Sequence, residues 1–172
     1  MNIRNPIWLA GCVLGVWLCA SPDAWALRLG VGANYWQTID TVDVDNFDED
    51  GLSWVGSLQF ELAEYSRIEL AVEWFEAGFG GSIEDIYAPQ AYFILGKGLY
   101  AAVGIGGYYT DGEFADDPFY ALRAGLDVEV LPNLYLDVNA NYRFQTWDAL
   151  SEDGSDIDTD TVTLGAAVRI GF

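Results

Sequence analysis

From Leu27 onward the chain alternates between two kinds of side chain. In LRLGVGANY, Leu27, Leu29, Val31, Ala33 and Tyr35 stand against Arg28, Gly30, Gly32 and Asn34. The last twelve residues, TVTLGAAVRIGF, do the same: Val162, Leu164, Ala166, Val168, Ile170 and Phe172 oppose Thr163, Gly165, Ala167, Arg169 and Gly171. A period of two puts one series on each face of a β-strand. The pattern recurs in LSWVGSLQFEL, RIELAVEW, LYAAVGIGGYY, YALRAGLDVEV and LYLDVNANYRFQ. In QAYFILG both parities are apolar, and Ala91, Phe93 and Leu95 are expected on the apolar face. These segments predict eight strands.

The connections alternate too. Short turns are expected at Glu64-Tyr65-Ser66, Gly96-Lys97-Gly98 and Pro132-Asn133. Long loops are expected at TIDTVDVDNFDEDG, EAGFGGSIEDIYAP, TDGEFADDP and TWDALSEDGSDIDTD. An up-and-down sheet gathers its short turns at one end and its long loops at the other. Pro89, Pro118 and Pro132 are expected at strand starts or turns, because proline inside a strand breaks the ladder.

The strand segments hold Arg28, Glu61, Arg67, Glu69, Glu73, Arg123, Asp127, Glu129, Asp137, Arg143 and Arg169, all on the non-apolar parity. A soluble ligand carrier would point that parity outward; a membrane barrel would point it inward. Three features favour the membrane. The polar face is rich in Gly, Ala, Ser and Asn, which fit a narrow lumen. Tyr35, Trp36, Trp54, Trp74, Tyr120, Tyr142 and Trp147 cluster at one end of the strands, as aromatic rings do at a lipid–water boundary. The apolar series also runs about 9–11 residues, enough for a tilted strand to cross hydrocarbon. In hydrocarbon a sheet cannot keep an unpaired edge. An eight-stranded barrel leaves room only for side chains. The expected fold is therefore all-β: a monomeric, eight-stranded, antiparallel up-and-down transmembrane β-barrel over residues 27–172.

Residues 1–26 read as a cleaved secretory signal peptide: Arg4, the apolar run IWLAGCVLGVWLCA, and a small-x-small end at Ala24-Trp25-Ala26. Leu9-Ala10-Gly11-Cys12 also matches a lipidation pattern, but the apolar run continues past Cys12. Cys12 and Cys19 both fall in this segment, so the mature chain is expected to lack thiols and disulfides. Histidine is absent, which removes the commonest general base and metal ligand. A net charge of −20 argues against nucleic acid.

The signal segment, the eight alternating strands and the ending VRIGF resemble the small outer-membrane barrels of the OmpA and OmpX type. That resemblance implies the cell outer membrane of a Gram-negative organism, with short turns in the periplasm and long loops outside. It implies that the barrel-assembly machinery reads Phe172 together with Ile170, Val168 and Ala166. It implies contact with outer-membrane lipid and lipopolysaccharide. Some members modify lipid A with a site built on histidine; without one, this chain is expected not to be an enzyme. With the chain ending at Phe172, no wall-tethering domain is expected.

Charge then divides by location. The strand residues hold five arginines against six carboxylates, and Lys97 offsets Glu64 at the short-turn end. In the long loops nineteen acids face no Lys or Arg. Strand direction predicts Arg28, Arg67 and Arg169 toward the short turns with Glu61, Glu69, Glu129 and Asp137. It predicts Arg123 and Arg143 toward the loops with Glu73. Such a network either packs a filled lumen or supports a narrow ion path. The loops read as a solvated face, an adhesive surface, or a weak divalent-cation site. For the last, the candidates are Asp43, Asp45, Asp48 and Asp50 in one loop and Asp156, Asp158 and Asp160 in another. No tightly bound cofactor is expected beyond loosely held calcium or magnesium, through which acidic loops would meet lipopolysaccharide.

Overall fold

The computed structural model describes residues 26–38, 50–77, 79, 85–110, 112–115, 117–145 and 160–172. Among them are ten strands: β1 (Leu27–Thr38), β2 (Asp50–Ala63), β3 (Ser66–Phe75), β4 (Ile86–Lys97), β5 (Leu99–Gly106), β6 (Tyr109–Thr110), β7 (Glu113–Phe114), β8 (Phe119–Leu131), β9 (Leu134–Phe144) and β10 (Thr161–Gly171). Eight of them form a closed antiparallel barrel. Each pairs with its chain neighbour, β5 joins β8, and β1 pairs with β10 from Arg28↔Gly171 to Thr38↔Thr161. Every long strand therefore has a partner on both sides.

Three tight turns lie at one end, at Glu64–Tyr65, Gly98 and Pro132–Asn133. Two need a left-handed backbone. Gly98 adopts φ 81° without a Cβ to clash, and Asn133 adopts φ 62°, which its short polar side chain tolerates.

Side-chain exposure settles which face is which. Val31, Leu52 and Leu164 are 66%, 62% and 60% exposed, while Glu69, Glu73, Asp137 and Arg143 are at most 1% exposed. Apolar residues point out of the barrel and ionised ones point in. β4 follows the expected parity, with Phe93 and Leu95 outside and Tyr92 and Ile94 buried.

Three expectations need correction. Trp36, expected on the outer aromatic rim, is 3% exposed and points inward. It packs with Phe75, Phe79, Ile86, Ala88 and Phe119 in an apolar cluster inside the loop end. Pro89 lies within β4 rather than at its start. Its C=O accepts from Gly107 N–H at 3.1 Å, so its missing N–H faces the side where the β4–β5 ladder has already ended, at Gln90↔Gly106. Finally, TDGEFADDP is not all loop. Thr110↔Glu113 and Tyr109↔Phe114 form the β6–β7 hairpin, and Tyr87↔Tyr109 joins it to β4.

Candidate functional site

The lumen carries the charged chemistry, in three tiers. Nearest the loops, Glu73 on β3 accepts from Arg143 on β9, from Ser53, from Asn34 at 2.7 Å and from Gln90 at 3.2 Å. The Arg143 guanidinium lies 5.4 Å from the Phe75 ring centroid and 5.1 Å from that of Phe119. The apolar cluster thus sits directly over this pair, and the arginine gains ring-face attraction in place of water.

In the middle tier, Glu69 accepts from Arg123 at 2.6 Å, from Arg169 at 3.0 Å and from Gln59 at 2.6 Å. Arg169 also lies 3.1 Å from Asp137. Arg123 stacks 3.7 Å from the Tyr92 ring centroid. The Tyr92 hydroxyl donates to Gln90 at 2.8 Å and accepts from Asn141 at 3.1 Å, which ties this tier to the one above. Space for such long side chains comes from inward glycines. A Cβ on Gly30 would stand 2.8 Å from Arg169, and one on Gly125 would stand 2.6 Å from Tyr100.

At the short-turn end, Asp127 accepts from Arg28 at 2.8 Å and also from Arg67. Arg28 pairs with Glu61 and stacks 3.7 Å from the Tyr135 ring centroid. This tier opens on a polar cavity of about 320 Å³ lined by Arg28, Glu61, Arg67, Lys97, Glu129 and Tyr135, among others.

Two placements differ from the sequence reading. Arg123 joins Glu69 in the middle tier instead of Glu73 at the loop end. Glu129, expected in the lumen, is exposed beside the β8–β9 turn, where it accepts from Asn133 N–H at 2.9 Å. It keeps the parity of Asp127, pairs with Tyr135 and lines the polar cavity at the short-turn mouth. The ion-paired charges of the three tiers balance: Arg28, Arg67, Arg123, Arg143 and Arg169 against Glu61, Glu69, Glu73, Asp127 and Asp137. Sequence reading missed the neutral partners Asn34, Ser53, Gln59, Gln90 and Tyr92. For the first three, inward parity was the available signal; for the last two, the mixed pattern of β4 hid it.

On the outer wall at the loop end, Trp54 pairs with Trp74, and Trp74 with Tyr87, on three adjacent strands. Tyr35 and Tyr142 stand in the same girdle. Their hydroxyls donate to Asp50 (2.7 Å) and to Asp160, two of the acids singled out as cation ligands. Among the described residues no group of three or more acids gathers as a metal site. Asp43, Asp45, Asp48, Asp156 and Asp158 lie outside the described residues, as do Trp147 and residues 1–25. At the other end Val168, Ile170 and Phe172 form an exposed outward row, and Phe172 N–H donates to Leu27 C=O at 2.9 Å.

No family model and no curated protein matches the chain. Solved structures do match. Neisserial surface protein A aligns over 87% of this chain and 100% of its own, at 13% identity and a TM-score of 0.56. The fold is that of the small outer-membrane β-barrels. A de novo designed transmembrane β-barrel matches at 16% identity and TM-score 0.50, covering 87% of this chain and 98% of its own. The N-terminal β-barrel domain of Pseudomonas aeruginosa OprF matches at 12% identity and TM-score 0.50, covering 84% and 97%. The likeness is one of transmembrane barrel architecture.

Proposed function

We propose that this chain is an integral protein of the cell outer membrane, with a structural or surface-interaction role and no catalytic one. The observation that carries the reading is the segregation of charge: in the eight barrel strands every ionised residue except Asp50, at the loop-end start of β2, is enclosed or at the short-turn mouth, and the middle of the outer wall is apolar. A charge on the lipid face would cost roughly 2–4 kcal/mol at mid-bilayer, so this arrangement fits hydrocarbon outside the wall. Balanced ion pairs beneath an aromatic cap make the lumen a plug. The loop segments, with nineteen acids and no Lys or Arg, then meet the outside, where lipopolysaccharide or basic partners are the surfaces within reach. The row ending in Phe172 serves as the address for barrel assembly.

Refolding of the full chain into detergent, read by heat-modifiable gel mobility, tests the proposal. The folded barrel runs as a distinct band that boiling shifts, and it floats with lipid vesicles. A protein that stays soluble and monomeric without detergent would overturn it.

A further inference from the structure

One outward-facing row of cross-strand partners climbs the barrel from end to end. It starts at Leu99, beside the Gly98 turn, and passes through Val138 and Ala33. It ends in five aromatics: Trp54, Trp74, Tyr87, Tyr109 and Phe114. Strands tilted by about 40° make such a row rise about 3 Å per strand. The backbone of Phe114, three strands on from Trp74, therefore stands about 9 Å above it, on the β6–β7 hairpin. Its ring leans back toward the wall: an ideal Cβ on Gly107 would lie 3.7 Å from Phe114 Cδ1. The ring is 63% exposed and its centroid is 5.0 Å from that of Tyr109. A headgroup layer is about 5–7 Å deep on each side of the hydrocarbon. With the girdle at the hydrocarbon boundary, these two rings stand at headgroup height.

We propose that Phe114 and Tyr109 form a binding site for the ammonium group of a phospholipid headgroup such as phosphocholine. The inference rests on the membrane reading above and adds a headgroup preference to it. An aromatic face carries the negative side of the ring quadrupole and attracts a cation. Inside the barrel the chain supplies that cation itself, with Arg123 over Tyr92 and Arg143 near Phe75 and Phe119. At the hairpin it does not. Among the described residues the five arginines are ion-paired in the lumen, and Lys97 stands at the opposite end. The surrounding charge completes the match. Glu113 and Asp117, close to Phe114 in the chain, are exposed, and the long loops hold nineteen acids and no Lys or Arg. That field disfavours an anionic headgroup and favours one that carries an ammonium. Height separates the site from the apolar wall, since acyl chains end about a headgroup's depth below it. Its outward parity turns the rings toward neighbouring lipid.

The test keeps the acids and removes one aromatic face. Full-length protein and Phe114→Leu are refolded into lipid nanodiscs in which dioleoylphosphatidylcholine progressively replaces dioleoylphosphatidylglycerol. The ring resonances of Tyr109 are followed by nuclear magnetic resonance. In the unsubstituted protein they shift with composition and reach half of the change near one quarter phosphatidylcholine. That midpoint is a preference of about threefold, the size of an exposed cation–π contact. Phe114→Leu keeps an apolar side chain and every acid, and its midpoint moves to about equal parts. Cross-relaxation links the Phe114 ring to choline methyl protons. A midpoint at equal parts in the unsubstituted protein overturns the site. So does a preference that Phe114→Leu retains in full, which would belong to the acids alone, or cross-relaxation to acyl methylenes only. Heat-modifiable mobility, recorded on both proteins, reports barrel formation separately, so failure of the membrane reading is distinguishable from failure of the headgroup site.

Discussion

Glu73 and Arg143 are the least replaceable charged residues of the lumen. Both are buried, and each is the other's countercharge beneath an apolar cap. Removing one partner of such a pair leaves an uncompensated buried charge, which costs about 3–5 kcal/mol. Arg143→Met is therefore expected to lower stability by that amount, read from urea unfolding of the vesicle-bound barrel by tryptophan fluorescence. Glu73→Gln with Arg143→Met is expected to cost clearly less than the sum of the single changes. Additive costs would show that the two do not act as a pair. The outer face has the opposite rule. Val138→Arg puts a charge at mid-strand against lipid and is expected to cost about 2–4 kcal/mol in the same assay.

Among the elements, the short turns are the most sharply specified by local chemistry. Asn133 holds φ 62° between β8 and β9. A β-branched residue there clashes with its own backbone, at about 1–2 kcal/mol. Asn133→Val should lose that much in unfolding experiments while Asn133→Gly stays close to the parent; equal losses would place the effect in the side-chain contacts. The strands were legible in the sequence because each has two different surroundings, and alternation records both. Leu29, Val31, Arg169 and Glu69 could be placed on a face before any coordinates. Legibility failed where the two surroundings converge. Near the loop end both faces carry rings, so Trp36 read as one more girdle residue when its parity points it at Phe75 and Phe79. Pro89 and the β6–β7 hairpin were missed for a related reason: whether a strand continues there depends on which neighbour supplies its hydrogen bonds. For the ionic tiers, parity identified the residues but not the pairs. Which arginine reaches which carboxylate is set by stagger around the barrel, which spacing along one strand does not announce.

For the whole molecule, the shape of the charge distribution is simple. A neutral, cross-linked interior is enclosed by an apolar wall, and almost all of the net charge of −20 lies in the loop residues. Ion pairs cross-link the lumen in all three tiers, and on the plug reading planar-bilayer recordings are expected to show no steady open level. A steady conductance that Arg143→Ala abolishes would make the tiers an ion path instead of a plug. The orientation of the wall underlies all of this, and one measurement reads it directly. Nitroxide labels are placed one at a time at residues 58, 138 and 164 of the vesicle-reconstituted protein, with Cys12 and Cys19 replaced by serine. Their collisions with oxygen and with a water-soluble nickel chelate are then compared. Contact with lipid predicts frequent oxygen collisions and almost none with nickel at all three sites. Free access of nickel at those positions would mean that the apolar wall faces water, and the membrane barrel would have to be abandoned.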